Sequence, residues 1–135
     1  MKPYLFMSVA TLTASAAFAD DITNADRILC SATKVAVCFE SSECVDMLPF
    51  EINMPQFIVV DEKKMTISTT KASEENRSTP IRFFERKEGK IIFQGIEQER
   101  AFSVVIDEEF GLLTGSVARD GVSVSVFGAC TDADT

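Results

Sequence analysis

Among the residues that could carry chemistry, the most informative are the four cysteines, Cys30, Cys38, Cys44 and Cys130. No two of them have the C-x-x-C spacing of a thiol-redox site, and none has a basic neighbour in the sequence that would activate a thiol. The intervals between the first three also lack the short knuckles of a four-thiolate zinc site. We therefore expect structural disulfides.

Four cysteines allow three pairings, and we predict Cys30–Cys130 together with Cys38–Cys44. A closed antiparallel meander places its first and last strands side by side, so cysteines near the two chain ends can reach bonding distance. The inner bridge would hold a short acidic loop as a rigid surface element able to contact a protein partner. The loop residues are Glu40, Ser41, Ser42 and Glu43.

Composition narrows the catalytic chemistry that the chain could perform. It contains no histidine, which excludes Ser-His-Asp and Cys-His nucleophile systems and His-ligated zinc sites. Among its 21 acidic residues no pair stands out as a general acid and base, and residues 107–111 fit a hydrated turn better than a calcium loop. We predict no catalytic, cofactor-binding or metal-ligating residue, and a carboxylate-dependent enzyme is the least favoured class.

The first nineteen residues have the pattern of a cleaved secretory signal peptide. Lys2 precedes a short apolar run over residues 4–10, and Ala17-Phe18-Ala19 forms an A-x-A cleavage site before Asp20. The run is shorter than the roughly 20 residues that a membrane-spanning helix needs. We predict a leader over residues 1–19 and a single domain over residues 20–135, periplasmic or secreted, with no membrane anchor, where an oxidising compartment preserves disulfides.

The charge balance disfavours some partners. The full chain has a net charge of −8, which removes the electrostatic attraction that dominates non-specific binding to nucleic acid and to anionic lipid. We therefore expect no nucleic-acid partner. A cationic protein partner is compatible with this charge but is not required by it.

Turn residues recur every 8–12 positions, with short β-branched and aromatic runs between them, which is typical of consecutive antiparallel hairpins. Asp120-Gly121 between two alternating runs is the strongest hairpin signal. We predict an all-β, up-and-down meander of seven or eight strands, including residues 32–39 and 50–54, closed into a barrel. A β-sandwich is the alternative. The polar segment 71–79 is a long loop inside this ladder.

Three phenylalanines, Phe83, Phe93 and Phe102, are expected inside the barrel, as core or as the lining of a ligand cavity. Phe84 and Ile92 have the opposite parity, with Phe127 as a third member. An exposed apolar patch there would mark a partner or ligand site. An N-terminal segment covering the strand would explain the same residues, and the sequence leaves both readings open.

In its predicted export, barrel shape and bridge between the two chain ends, the chain resembles the small periplasmic inhibitors of c-type lysozymes. Residues 114–121 lack the tyrosine of those inhibitors' Ser-Gly-Ala-Arg-Tyr segment, so no inhibitory residue is assigned here. The sequence favours a non-enzymatic, inhibitor-like protein-binding module. The alternative is a barrel that holds a small apolar ligand.

Overall fold

A computed structural model describes residues 21–134 of the protein and the isolated positions 3 and 10. Apart from those two positions, the predicted leader and its cleavage site before Asp20 lie outside the described residues. Within the described part of the chain, no helix is long and apolar enough to cross a membrane.

Apart from two short 3₁₀ helices, the regular secondary structure of the described residues consists of antiparallel β-strands. In the last strand Val124 is buried while Ser123 and Ser125 are exposed, which is the alternation expected of a half-buried strand. The ten strands are β1 (Arg27–Phe39), β2 (Val45–Met47), β3 (Phe57–Asp61), β4 (Thr66–Thr69), β5 (Ser78–Pro80), β6 (Phe83–Lys87), β7 (Lys90–Glu97), β8 (Arg100–Asp107), β9 (Leu112–Arg119) and β10 (Val122–Asp132). Two short 3₁₀ helices span Pro49–Ile52 and Lys71–Ser73.

One sheet contains all ten strands and curls into an open half-barrel. Its order is β5-β4-β3-β1-β10-β9-β8-β7-β6, with β2 paired to β1 outside this path. The predicted all-β antiparallel fold and both predicted disulfides are confirmed. The predicted closure into a barrel is corrected, because the sheet stays open between its two edge strands. The strands outnumber the seven or eight expected because β2 and β5 have only three residues each, too few to give an alternating pattern.

The sheet is open because its edge strands, β5 and β6, share no hydrogen-bonded ladder. These two strands are consecutive and are joined by Ile81 and Arg82 alone. The amide of Ile81 donates to the carbonyl of Met65 just before β4, whereas the amide of Arg82 donates to the carbonyl of Gln94 in β7. Ile81 is therefore hydrogen-bonded to the β4 side of the gap, and Arg82 is hydrogen-bonded to the β7 side.

The first and last strands pair along their length, as the sequence predicts. Cys30 lies directly opposite Cys130, and their Cα atoms are 4.1 Å apart across the disulfide. Gly128 lies opposite Ala32, and a Cβ at Gly128 would stand 2.4 Å from the carbonyl oxygen of Ser31. Only glycine permits this close approach of the two backbones.

The turns define two ends of the half-barrel, here called the plugged end and the mouth. The plugged end is formed by residues 21–26, 62–65, 88–89 and 108–111. The mouth is formed by residues 40–44, 48–56, 70–77, 98–99 and 120–121. Strands β1, β3, β4 and β7 to β9 run between these two sets of turns. The short strand β2 lies within the mouth region, and β5 and β6 are joined by residues 81–82 between the two ends.

Ile22 fills the plugged end from the N-terminal segment. Its side chain is fully buried in the main core, and its amide donates to the carbonyl of Glu108 at 2.8 Å. Arg86 lies beside it: the guanidinium contacts the carboxylates of Glu108 at 3.2 Å and Glu62 at 3.4 Å, and it also donates to the carbonyl of Ala25. Full burial of an aliphatic side chain stabilises a fold by about 1.5–3 kcal/mol, so this end is firmly packed.

Candidate functional site

An apolar cavity of about 390 Å³ occupies the half-barrel and extends to the mouth. The fully buried Phe93 lines it from β7, and the half-buried Phe102 lines it from β8. Aliphatic side chains from five other strands complete the wall, among them Ile58, Ile67, Leu113, Val117 and Val124. The cavity wall is therefore suited to binding an apolar group.

Glycines in β7 and β9, the two strands that flank β8, shape this space. A Cβ at Gly95 would stand 2.5 Å from the tip of the Phe102 ring, so the ring lies flat across β7 where a side chain would otherwise be. Gly115 in β9 also faces the cavity. A Cβ at Gly115 would meet only ordinary contacts, with Val104 at 3.4 Å and Leu113 at 3.8 Å, so the lack of a side chain there leaves empty volume.

Near the mouth, the last inward-facing residue of each of three adjacent strands is charged. Counted outward from the core, Glu97, Arg100 and Arg119 are the last inward positions of β7, β8 and β9, and all three line the cavity. Arg77, from the loop before β5, joins them and donates through Nη2 to Oε1 of Glu97 at 3.0 Å. The other amino group of Arg77 donates to the carbonyl of Asn53 at 3.0 Å.

The segment before β3 borders the mouth. Residues 50–54 were predicted as a strand. Instead Pro49 begins a 3₁₀ helix, and Asn53 ends it in the left-handed conformation. Proline suits the first position of a helical turn because its fixed φ is already helical. This segment places Ile52 and Met54 on the cavity, while Phe50 remains 75% exposed beside it.

The predicted interior phenylalanines divide into two groups. Phe93 and Phe102 face the cavity, but Phe83 is 47% exposed on the outer surface, so its expected inward position is corrected. The register explains the difference. The two-residue turn at Glu88-Gly89 pairs Phe84 with Phe93 and Phe83 with Gln94. Residues directly opposite each other in paired strands lie on the same face of the sheet. A shift of one residue in the register therefore moves every side chain of a strand to the other face.

Phe84 is therefore inside, stacked on Phe93 with ring centroids 6.3 Å apart, and does not belong to an outer patch. Val105 and Phe127 lie on the outer face, 39% and 41% exposed, in a row that also contains Ile92. Residues 21–26 do not cover this face, because Ile22 and Ala25 pack in the core at the plugged end.

The loop closed by Cys38–Cys44 lies at the mouth. Its residues Glu40, Ser41, Ser42 and Glu43 are all exposed. The amide of Glu40 donates to the carbonyl of Gly121 at 2.9 Å, which fixes the loop against the β9–β10 turn. The structure brings this loop and the cavity to the same end of the molecule.

At the opposite, plugged end, the side chain of Asp107 is held by hydrogen bonds. Lys90 Nζ donates to the Asp107 carboxylate at 2.8 Å, and the amide of Phe110 also donates to it. These hydrogen bonds, that from Lys90 first, lower the pKa of Asp107. The Asp107 carboxylate caps the turn before β9. Within the described residues, no group of three or more His, Cys, Asp or Glu side chains could hold a metal ion.

Sequence reasoning missed the arginines of the mouth. A signal for two of them was present: Arg100-x-Phe102-x-Val104 and Leu113-x-Gly115-x-Val117-x-Arg119 continue a period of two into a charged residue. Arg77 carried no such signal, because it lies in a loop whose path depends on tertiary contacts. No family model, curated protein or solved structure matches the chain.

Proposed function

We propose that this protein is a non-enzymatic binding protein that holds one small apolar ligand in the cavity of its half-barrel. The observation that supports this most directly is the apolar space of about 390 Å³ reached through the mouth. Small-molecule sites are concave, mostly apolar spaces of roughly 300–1,000 Å³ with a few polar groups that orient the ligand. An engineered cavity of about 150 Å³ is already enough to bind benzene.

The packing supports the same proposal. Protein interiors are close-packed, and voids larger than a water molecule are few. The plugged end meets this standard, since Ile22, Ile91 and Ile106 are each fully buried. The space near the mouth does not, and its lining surface gains dispersion contacts when a ligand fills it.

We also propose an oxidising location, with the periplasm or the extracellular space as the site of action. Two disulfides and the absence of free cysteines among the described residues support it, because such bridges persist in oxidising compartments and are rare in the cytosol. The mass of the protein recovered from its producing cells tests this. Export predicts an N-terminus at Asp20, whereas a mature chain that retains Met1 would contradict it.

Gly115→Leu is the direct test of the ligand site. The leucine side chain would extend into the cavity, because a Cβ at Gly115 meets only ordinary contacts. We expect the fluorescence of the neutral apolar probe N-phenyl-1-naphthylamine to rise with wild-type protein and to stay at its free value with the variant.

Thr114→Leu is the matched control. It adds a leucine to the same strand on the exposed outer face, so probe binding should remain as in wild type. Equal probe binding by Gly115→Leu and wild type would contradict the cavity as the site, provided that both unfold at similar urea concentrations.

A second candidate function is binding of a cationic protein through the disulfide-closed loop. It is favoured by the exposed positions of Glu40 and Glu43 on a loop fixed by Cys38–Cys44. The test is Glu40→Lys with Glu43→Lys, which should weaken capture of a partner first identified from the exported fraction and then purified. Glu85→Lys with Glu88→Lys makes the same charge change at exposed positions far from the mouth. Equal capture by both variants would contradict this role of the loop.

A further inference from the structure

Two cations lie next to each other at the mouth without a carboxylate partner. Ala101 and Ala118 are directly paired across β8 and β9. Continued by one residue toward the mouth, the same register places Arg100 opposite Arg119. Both residues line the cavity. Like charges at opposite cross-strand positions destabilise a sheet, and an anion between them would remove this cost.

The described neighbours leave both guanidinium groups open to such an anion. Arg100 donates to the amide oxygen of Gln98 at 2.7 Å, and within the described chain neither Arg100 nor Arg119 forms an ion pair. Glu97 pairs with Arg100 in the ladder, but its carboxylate binds Arg77 instead. Arginine donates to carboxylates and phosphates in pairs of hydrogen bonds, so two adjacent arginines suit an oxyanion.

The rest of the chain is acidic, with a net charge of −8. Three arginines on one cavity mouth are therefore opposite in sign to the molecule as a whole. Glu97, bound by Arg77, is the one acidic residue among the cavity-lining residues. The other acids of the mouth lie in its loops and turns and do not line the cavity: Glu40, Glu43, Glu51, Glu74, Glu75, Glu99 and Asp120. The lining thus changes from apolar to cationic toward the mouth.

We infer that the ligand is a single-chain amphiphile, whose hydrocarbon chain fills the cavity and whose anionic head group binds Arg100 and Arg119. This inference rests on the proposed function and adds the ligand class to it. The cavity of about 390 Å³ accommodates a ligand with one short chain. The anion would be a carboxylate or a phosphate ester, since both offer the oxygens that arginine recognises.

Three probes with the same ten-carbon chain separate the head group from the chain: decanoate, decanol and decyltrimethylammonium. Each displaces N-phenyl-1-naphthylamine from the full chain, below the concentration at which it forms micelles. We expect decanoate to bind about tenfold more tightly than decanol, as one retained charge-assisted hydrogen bond would give. Decyltrimethylammonium should bind the most weakly. Decyl phosphate, measured in parallel, distinguishes the two anionic head groups.

Arg100→Gln with Arg119→Gln should reduce the decanoate affinity about tenfold and leave the decanol affinity unchanged. Arg82→Gln removes a positive charge from an exposed residue outside the cavity lining and should change neither. Decanoate affinity should also fall with added salt, because the mouth is open to solvent.

The outcomes distinguish the inference from the proposed function. If decanol and decanoate bind equally, or if the quaternary ammonium binds best, the anionic head group is excluded while the apolar site stands. If none of the probes binds, the proposed function itself fails. If the double variant loses decanol as well as decanoate, the arginines support the fold and do not select the head group.

Discussion

The plugged end and the mouth are built on the same strands but are packed in opposite ways. At the plugged end the inward positions carry Ile91 and Ile106, and Ile22 from the N-terminal segment seals the space. Toward the mouth, β8 carries Arg100 and its neighbour β9 carries Gly115 at inward positions. The alternation of the strands therefore sets only which residues face inward. The size and charge of those residues set whether the interior is a core or a cavity.

The same contrast explains the polar groups at the two ends. Arg86 at the plugged end is neutralised by Glu62 and Glu108, as a largely buried charge requires. Arg100 and Arg119 at the mouth have no carboxylate partner among the described residues and remain accessible. The cation at the plugged end is thus paired with carboxylates within the described residues, whereas the mouth offers unpaired cationic groups to a ligand.

The largest expected effect concerns the two disulfides. Removing Cys30–Cys130 with two alanines opens a link across a sequence separation of 100, which the chain-entropy account values at about 4–5 kcal/mol. Removing Cys38–Cys44 at the mouth opens a separation of 6, worth about 2 kcal/mol on the same account. Urea unfolding of both double variants measures the difference. Equal losses would show that the bridges do not act through chain entropy.

The next effect compares packing at the two ends. Ile22→Ala should reduce the free energy of unfolding by about 2–4 kcal/mol, because this side chain is fully buried. Met54→Ala at the mouth should cost about 1 kcal/mol, because that side chain is only half-buried and borders the cavity. Thermal and urea unfolding provide the measurement. A cost at Met54 as large as at Ile22 would contradict the difference in packing.

The sequence allowed the strands and the bridges to be predicted because their signals are local or depend on simple topology. Cys30 and Cys130 could be paired once the first and last strands were expected to be neighbours. The position of Phe83 could not be obtained in the same way, because the register across Glu88-Gly89 reverses the face after a one-residue shift. The cavity was uncertain as well, since filling depends on tertiary packing at glycines such as Gly95 and Gly115.

The smallest expected effect is a pH dependence at the plugged end. The pKa of Asp107 is lowered by its hydrogen bond from Lys90. Its contribution to stability is therefore complete above the ordinary aspartate pKa of about 3.9 and is lost as the pH falls through the lowered value of the folded state. Asp107→Asn should flatten the decline of the urea midpoint between about pH 5 and pH 2.

Asp46→Asn removes one negative charge from an exposed position at the other end of the molecule and controls for net charge. It should leave the acid dependence of the wild-type protein nearly intact. An unchanged acid dependence in Asp107→Asn would show that this carboxylate does not cap the turn before β9 in solution.

The most direct test of the ligand site is native mass spectrometry of the protein recovered from its producing cells, beside its denatured mass. We expect the wild-type native mass to exceed the denatured mass by one small molecule, which leaves on extraction with organic solvent and returns on incubation with decanoate. Gly115→Leu should carry no such addition, whereas Thr114→Leu should behave as wild type. A wild-type protein with no addition, before or after incubation with decanoate or decanol, would contradict the account.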